Sequence, residues 1–229
     1  MSNNKRRAVL NEIYDTERKY VDSLFTVIDI YLAPLRANQQ AVVTTPSSAG
    51  SGRKERRNSF RSISPTPGSP PSLDQAIIQR IFSNIELVAQ ANQNLCDSLA
   101  EAREKAGDKL HNALFGKAFL NFAPYVKMYE LYCSSYETAC DTVRQLQTND
   151  PVAKNFFDQQ RQHPRCQNMD LLSLLIMPIQ RVPRYGPEIY LVGRGDCVGD
   201  THGCGYSPLR MVFYLTCGRH PGTDFCYKS

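Results

Sequence analysis

The sequence predicts an all-α protein, an elongated bundle of long helices with a disordered insertion and an irregular C-terminal tail. Apolar residues recur every three or four positions over most of residues 5–185, and no segment there alternates as a strand does. With 229 residues and a hydrophobic content of 41%, the chain is long enough to bury one sizeable core. We therefore predict one helical domain at 5–185, and no independent domain at 186–229.

The first predicted helix runs from Val9 to Leu35. It spans about seven turns at 3.6 residues per turn. A single apolar stripe defines it, formed by Leu10, Ile13, Tyr20, Leu24, Tyr31 and Leu35.

Residues 37–72 interrupt the pattern and are predicted to be a disordered insertion. They contain eight Ser, five Pro and three Gly, a composition that cannot bury enough apolar surface to become ordered. Five of their residues are basic and one is acidic, in a chain whose net charge is +5. Because the rest of the chain is nearly neutral, and base-stacking aromatics are not interleaved with Lys and Arg, we predict no nucleic-acid-binding face.

The insertion contains four candidate phosphorylation sites, for which protein kinases would be partners. Ser59 follows two arginines at short distance, whereas Ser64, Thr66 and Ser69 each precede a proline. The alternative is an unmodified, solvated loop.

The sequence pattern in the middle of the chain predicts two further helical regions. Ser72 and Gln75 have the spacing of a capping box, and the helix that they begin is expected to reach Gly107. A third region runs from 110 to about 147, and Pro124 is expected to kink or divide it.

Two shorter helices complete the prediction. Asp150 followed by Pro151 is typical of a helix N-terminus, here for a helix over 152–161. The last periodic segment is 170–185, and we expect Gly186-Pro187 to end it, since proline disfavours helix for the residue before it.

Covalent catalysis is not predicted. The helical body has no Gly-rich phosphate loop and no Ser or Cys at motif spacing from a histidine. Two acidic pairs, Asp15 with Glu17 and Glu101 with Glu104, are interpreted as solvated helix faces.

The spacing of the eight cysteines does not indicate a metal-binding site. In the tail, Cys197, His202 and Cys204 do not have the usual zinc-ligand spacing, so we expect no metal and no cofactor. No apolar run approaches the about 18 residues needed to cross a bilayer, so a cytoplasmic protein without disulfides is expected. Four single cysteines are predicted to be small buried residues: Cys96, Cys133, Cys140 and Cys166.

Two stretches resemble the signatures of a known family. The first, NEIYDTERKYVDSL at Asn11–Leu24, resembles the pattern E-L-x-x-T-E-x-x-Y, with Ile13 at the Leu position. The second, LLSLLIMPIQRVPRY at Leu171–Tyr185, resembles L-x-x-P-x-Q-R-x-x-R-Y. These are similar to the first and third signatures of the Dbl-homology (DH) domain of guanine-nucleotide exchange factors.

The resemblance implies a helical exchange factor for a Rho-, Rac- or Cdc42-type small GTPase, acting without covalent chemistry. By motif position, Glu12 would hydrogen-bond the first switch segment of the GTPase, and Glu17 is the second choice. Met177, where the family often has Lys, Gln180 and Arg181 would face the second switch segment. Alternatively, Glu12 is an ordinary surface carboxylate and Arg181 belongs to an internal ion pair.

The residues after Tyr185 depart from the family. There the chain continues with leucines into a final long helix that supplies much of the GTPase-binding face, whereas here a Gly- and Cys-rich sequence follows. The resemblance therefore implies weak or no exchange activity for the chain as written. A non-exchanging helical interaction or scaffold protein, binding a GTPase or another partner, is the alternative function.

Overall fold

A computed structural model describes residues 3–43, 69–105 and 111–193 of the chain. Almost all of these residues are helical and none of them forms a β-strand, which confirms the predicted all-α class. No described helix is long and apolar enough to cross a membrane. Of the candidate phosphorylation sites only Ser69 lies within the described ranges, where it is half-buried; Ser59, Ser64 and Thr66 lie outside them.

The N-terminal helical run is longer than predicted. Helix α1, Asn3–Thr26, passes through a π-helical segment, Val27–Leu32, into α2, Ala33–Val43. The predicted insertion therefore begins too early, because residues 37–43 contain Ala and Gln, which favour helix, and no Gly or Pro. The side-chain amide of Asn38 also donates a hydrogen bond to the carbonyl of Pro70 at 2.9 Å.

The second predicted helix is two helices, α3, Gln75–Phe82, and α4, Ile85–Lys105. Ser83 separates them with a φ of 47°, which the interior of a right-handed helix does not allow. The prediction of one helix was wrong because Ile81 and Ile85 are both buried, so the apolar stripe continues across the break. The capping box was also wrong, since the N-cap residue is Asp74, whose side chain makes no capping bond.

The third predicted helical region is divided near Pro124, as expected. Helix α5, His111–Phe122, is followed by a 3-10 turn, Ala123–Lys127, and then by α6, Met128–Asn149. Proline lacks the N–H that a continuing α-helix would use, and a short 3-10 turn accommodates that loss.

Helix α7, Pro151–Arg161, begins with the predicted cap. The carboxylate of Asp150 accepts hydrogen bonds from the backbone N–H groups of Val152, at 2.8 Å, and Ala153, at 3.1 Å. Both N–H groups belong to the first turn and have no partner within the helix. The cap is therefore a local interaction that the sequence already specifies.

Replacing Asp150 by alanine is expected to lower the free energy of unfolding by about 1 kcal/mol, because two N–H groups lose their acceptor. Chemical denaturation followed by circular dichroism measures this change. Asp74→Ala is the matched control, since Asp74 is also an N-cap residue but makes no capping bond. Equal effects of the two substitutions would contradict the prediction.

The last predicted helix is divided and extended. Helix α8, Leu171–Leu175, is followed after one residue by α9, Met177–Gly193. The prediction that Gly186-Pro187 ends the helix was therefore wrong, and the predicted start of the tail at residue 186 is too early, since residues 186–193 are helical. A proline removes one backbone hydrogen bond and can bend a helix, but its φ is compatible with helix and need not terminate it. Residues 194–229, with the tail cysteines, lie outside the described ranges.

The described residues divide into two compact units. The first is formed from the described parts of 1–25, 84–136 and 175–229, and the second from those of 26–83 and 137–174. In the second unit, the ring of Tyr31 packs edge-on against Phe156, with ring centroids 6.4 Å apart. The first unit contains both signature helices, α1 up to Phe25 and α9, and is the one that concerns function.

Three of the four single cysteines are buried, namely Cys96, Cys140 and Cys166, as the sequence predicts. Cys133 is exposed, so the prediction was wrong there. It lies one position beyond the buried Tyr132, at the edge of the apolar stripe of α6.

Candidate functional site

A buried ion pair joins the two signature helices of the first unit. The Nε and Nη2 atoms of Arg181, on α9, lie 2.9 and 2.6 Å from Oε2 of Glu17, on α1. The side chains are 3% and 0% exposed. Glu17 is therefore not part of a solvated face, and the alternative of an internal ion pair for Arg181 is the one that the geometry supports.

A network of hydrogen bonds surrounds this pair. The hydroxyl of Tyr185 lies 2.6 Å from Oδ1 of Asn92 and 3.3 Å from Oε1 of Glu17. The amide of Asn92 donates to the hydroxyl of Tyr129 at 2.7 Å, which lies 3.1 Å from the hydroxyl of Tyr20. All five side chains are buried. Their polar atoms therefore satisfy one another inside the unit, as buried polar groups must.

Burial dominates the electrostatics of the network. It raises the pKa of Glu17, and the Arg181 guanidinium opposes that rise. Burial likewise raises the pKa values of Tyr20, Tyr129 and Tyr185, so their hydroxyls stay protonated and act as fixed hydrogen-bonding groups. The Arg181 guanidinium also lies 4.8 Å from the centre of the Tyr185 ring, a cation–π distance.

Replacing Tyr185 by phenylalanine is expected to lower the free energy of unfolding by about 1–3 kcal/mol, because the amide oxygen of Asn92 loses its donor. The ring packing against Phe122, at 5.3 Å between centroids, would be kept. Chemical denaturation measures the change. Tyr125→Phe is the matched control, since Tyr125 is 50% exposed, and a loss as large in the control would refute the assignment.

An open groove of about 240 Å³ lies between α1 and α9 at the surface side of the ion pair. Gln180 is exposed in it, and Met177 is half-buried. The groove thus brings together all three predicted contact residues of the second signature stretch, since Arg181 also lines it. Its lining residues are Thr16, Lys19, Tyr20, Ser23, Met177, Gln180, Arg181 and Arg184.

The remaining acidic candidates lie elsewhere on their helices. Glu12 is exposed on α1 but does not line the groove, and Glu101 and Glu104 are exposed on α4, as predicted. Asp15 lies 3.9 Å from Nη1 of Arg103. In the part of the chain that the structure describes, no three His, Cys, Asp or Glu side chains come close enough to bind a metal ion.

Sequence reasoning missed the partnership of Glu17 and Arg181, although a signal was present. Glu17 lies four positions after Ile13 and three before Tyr20, so it falls on the apolar stripe of α1. A charged residue on such a stripe is buried, and a buried charge requires a partner. Sequence reasoning also missed three residues that no motif identifies, namely Asn92, Tyr129 and Lys19. It gave no role to Arg184, although Arg184 is the arginine before Tyr185 in the second signature stretch.

Comparison of the sequence with known proteins identifies a family. A RhoGEF domain model matches residues 9–186. The chain is 30% identical to Rac guanine nucleotide exchange factor JJ of Dictyostelium discoideum over 176 residues, which cover 77% of this chain and 12% of that protein. It is 26% identical to the Myosin-M heavy chain of the same organism, covering 79% of this chain and 8% of that one. The chain thus spans only a small part of these relatives' lengths.

Solved structures agree on the fold. A structure of the Vav1 exchange factor with its PH and C1 domains has a TM-score of 0.64 at 20% identity, covering 94% of this chain and 47% of that one. Human RhoA in complex with the DH/PH fragment of PDZRHOGEF has a TM-score of 0.64 at 15% identity, with 94% and 52% covered. Because the family model matches most of the sequence, and both signatures lie within the match, the chain belongs to the RhoGEF (DH) domain family.

Proposed function

We propose that this chain is a guanine-nucleotide exchange factor for a Rho-family small GTPase, and that α1 and α9 carry its contact surface. The observation that supports this most directly is the buried pair of Glu17 and Arg181, which holds the two signature helices together. Gln180 and Met177 then face outward from α9 at a fixed position beside α1. Glu17 and Arg181 act as positioning residues in this proposal, because their side chains are buried.

The mechanism needs no covalent step and no cofactor. An exchange factor binds the nucleotide-free GTPase more tightly than the loaded form, and linkage requires that it weaken nucleotide binding by the same factor. In the proposal, Glu12 hydrogen-bonds the first switch segment, while Met177 and Gln180 hold the second. Switch segments held in this way no longer support Mg²⁺ and the phosphates.

The relatives indicate the class of partner. One matched protein is named as a Rac exchange factor, and one matched structure contains RhoA. We extend this class to the present chain as a Rho-, Rac- or Cdc42-type GTPase. We also propose a cytoplasmic location, where such GTPases exchange GDP for GTP.

The test is the release of a fluorescent GDP analogue from RhoA, Rac and Cdc42 in the presence of the purified 229-residue chain. Acceleration with at least one GTPase supports the proposal. Capture of a nucleotide-free GTPase without acceleration would favour the scaffold alternative, and neither binding nor acceleration would refute both. The rate of release in the same assay also tests the prediction that the exchange activity of this chain is weak or absent.

A further inference from the structure

We infer that Tyr132, on α6, is a positioning residue for the residues of α9 that are proposed to contact the GTPase. The inference rests on the proposed exchange function and deepens it, because it states what holds Met177 and Gln180 in the direction that exchange requires. Tyr132 lies in neither signature stretch and does not line the groove. It acts through the backbone at the start of α9, without touching the GTPase.

The start of α9 needs support from outside its own helix. Pro178, the second residue of α9, has no N–H, and a proline ring clashes with the carbonyl of the fourth residue before it. Leu175 is the last residue of α8, and the last carbonyls of a helix have no partner within that helix. Because Leu175 is 0% exposed, its carbonyl requires a donor from the protein.

Tyr132 supplies this donor. Its hydroxyl donates to the carbonyl of Leu175 at 2.8 Å, and its side chain is buried. Helix α6 is a firm support for this bond, because the side-chain amide of Asn84, just before α4, donates to the carbonyl of Met128 at 2.9 Å. The buried network also joins Tyr129 of α6 to α4. The start of α9 is therefore tied to α6 and, through α6, to α4.

Two fixed points determine the direction of α9. Arg181 is held by its buried ion pair, and Leu175 is held by the hydroxyl of Tyr132. The two points are six positions apart, or roughly 9 Å at the helical rise of 1.5 Å per residue. Met177 and Gln180 lie between them in the sequence. A helix held at one point can pivot, and a displacement of about 1 Å at a contact can cost up to about 100-fold in rate.

The test is the variant Tyr132→Phe, which keeps the ring and removes the hydroxyl. We expect kcat for exchange to fall about tenfold while KM for the GTPase changes less than about twofold, because the misdirected contacts are those made to the nucleotide-free form. Rates are divided by the folded fraction, which melting curves of the same samples provide.

Val143→Ala is the matched control, since Val143 is buried on the same helix, 11 positions beyond Tyr132. The truncation should lower the melting temperature through a cavity but leave kcat of the folded protein unchanged. A loss of activity that comes from reduced stability alone would appear in both variants.

Hydrogen exchange tests the support of α9 without a GTPase. The backbone N–H of Gln180 donates to the carbonyl of Ile176 at 3.1 Å, in the first turn of α9. This amide should exchange about tenfold faster in Tyr132→Phe than in Val143→Ala, because the start of α9 opens locally when its support is removed.

The inference is overturned if the amide of Gln180 is as protected in Tyr132→Phe as in the control, or if the two variants have the same kcat. Both of these results leave the proposed function intact, because the unmodified chain still accelerates nucleotide release. An unmodified chain that accelerates release from no GTPase overturns the function, and the inference with it.

Discussion

Replacing Arg181 by methionine is expected to lower the free energy of unfolding by about 3–5 kcal/mol, the largest stability effect that we predict. The substitution keeps much of the side-chain volume but leaves the carboxylate of Glu17 buried without its cation. It also removes the guanidinium that lies over the Tyr185 ring. Chemical denaturation followed by circular dichroism measures the loss.

The loss should depend on pH in a defined direction. Burial raises the pKa of Glu17 above that of a solvent-exposed glutamate, so the folded protein keeps this proton to a higher pH than the unfolded chain does. Protonated Glu17 therefore stabilises the folded protein at pH values below its pKa in the unfolded chain. This contribution is lost as the pH rises through its pKa in the folded protein. Without the opposing charge of Arg181 the pKa should rise further, so the deficit of R181M should be smaller at acidic pH than at pH 8.

Two further variants isolate the pair. The double variant Glu17→Gln with Arg181→Met should lose less stability than the sum of the single losses, because it leaves no unpaired buried charge. Lys154→Met is the control, since it removes the cation of an exposed pair with Asp158 and should leave stability almost unchanged. If R181M were as stable as this control, the pair would not hold α1 and α9 together.

Replacing Glu12 by alanine is expected to reduce the release of nucleotide from the GTPase that this chain stimulates by about 30-fold or more, the largest effect on activity that we predict. In the proposed function its carboxylate makes a hydrogen bond to the first switch segment that no other residue replaces. Glu12 is exposed on α1, so the loss should come without a change in stability. Release of a fluorescent GDP analogue and thermal unfolding measure the two quantities separately.

The control for this variant is Glu104→Ala, an exposed carboxylate on α4. Its exchange rate should equal that of the unmodified chain. If the Glu12→Ala variant keeps full activity, Glu12 is an ordinary surface carboxylate and does not contact the GTPase. In that case the exchange function could still hold, but its contact with the first switch segment would have to come from another residue.

Features that depend on a few neighbouring residues were predictable from the sequence. The cap at Asp150 and the division at Pro124 follow from hydrogen bonds that form, or cannot form, within about one turn. The break at Ser83 was not predictable in this way, because the buried residues on its two sides keep the same spacing. The continuation of α9 past Gly186 was also missed, because proline lowers helix propensity without excluding helix.

By itself the sequence determined the helical class and, through its two signatures, the family, because periodicity and motif spacing are properties of the chain. Only the tertiary structure decided which charges face inward and which face outward. Glu17 and Arg181 are 164 positions apart, and no local sequence pattern identifies either residue as the partner of the other. Their pairing leaves Lys19 and Arg184 as the outward cations of the groove. The physical reason is that burying a charge is costly without a partner, and the fold alone determines where that partner lies.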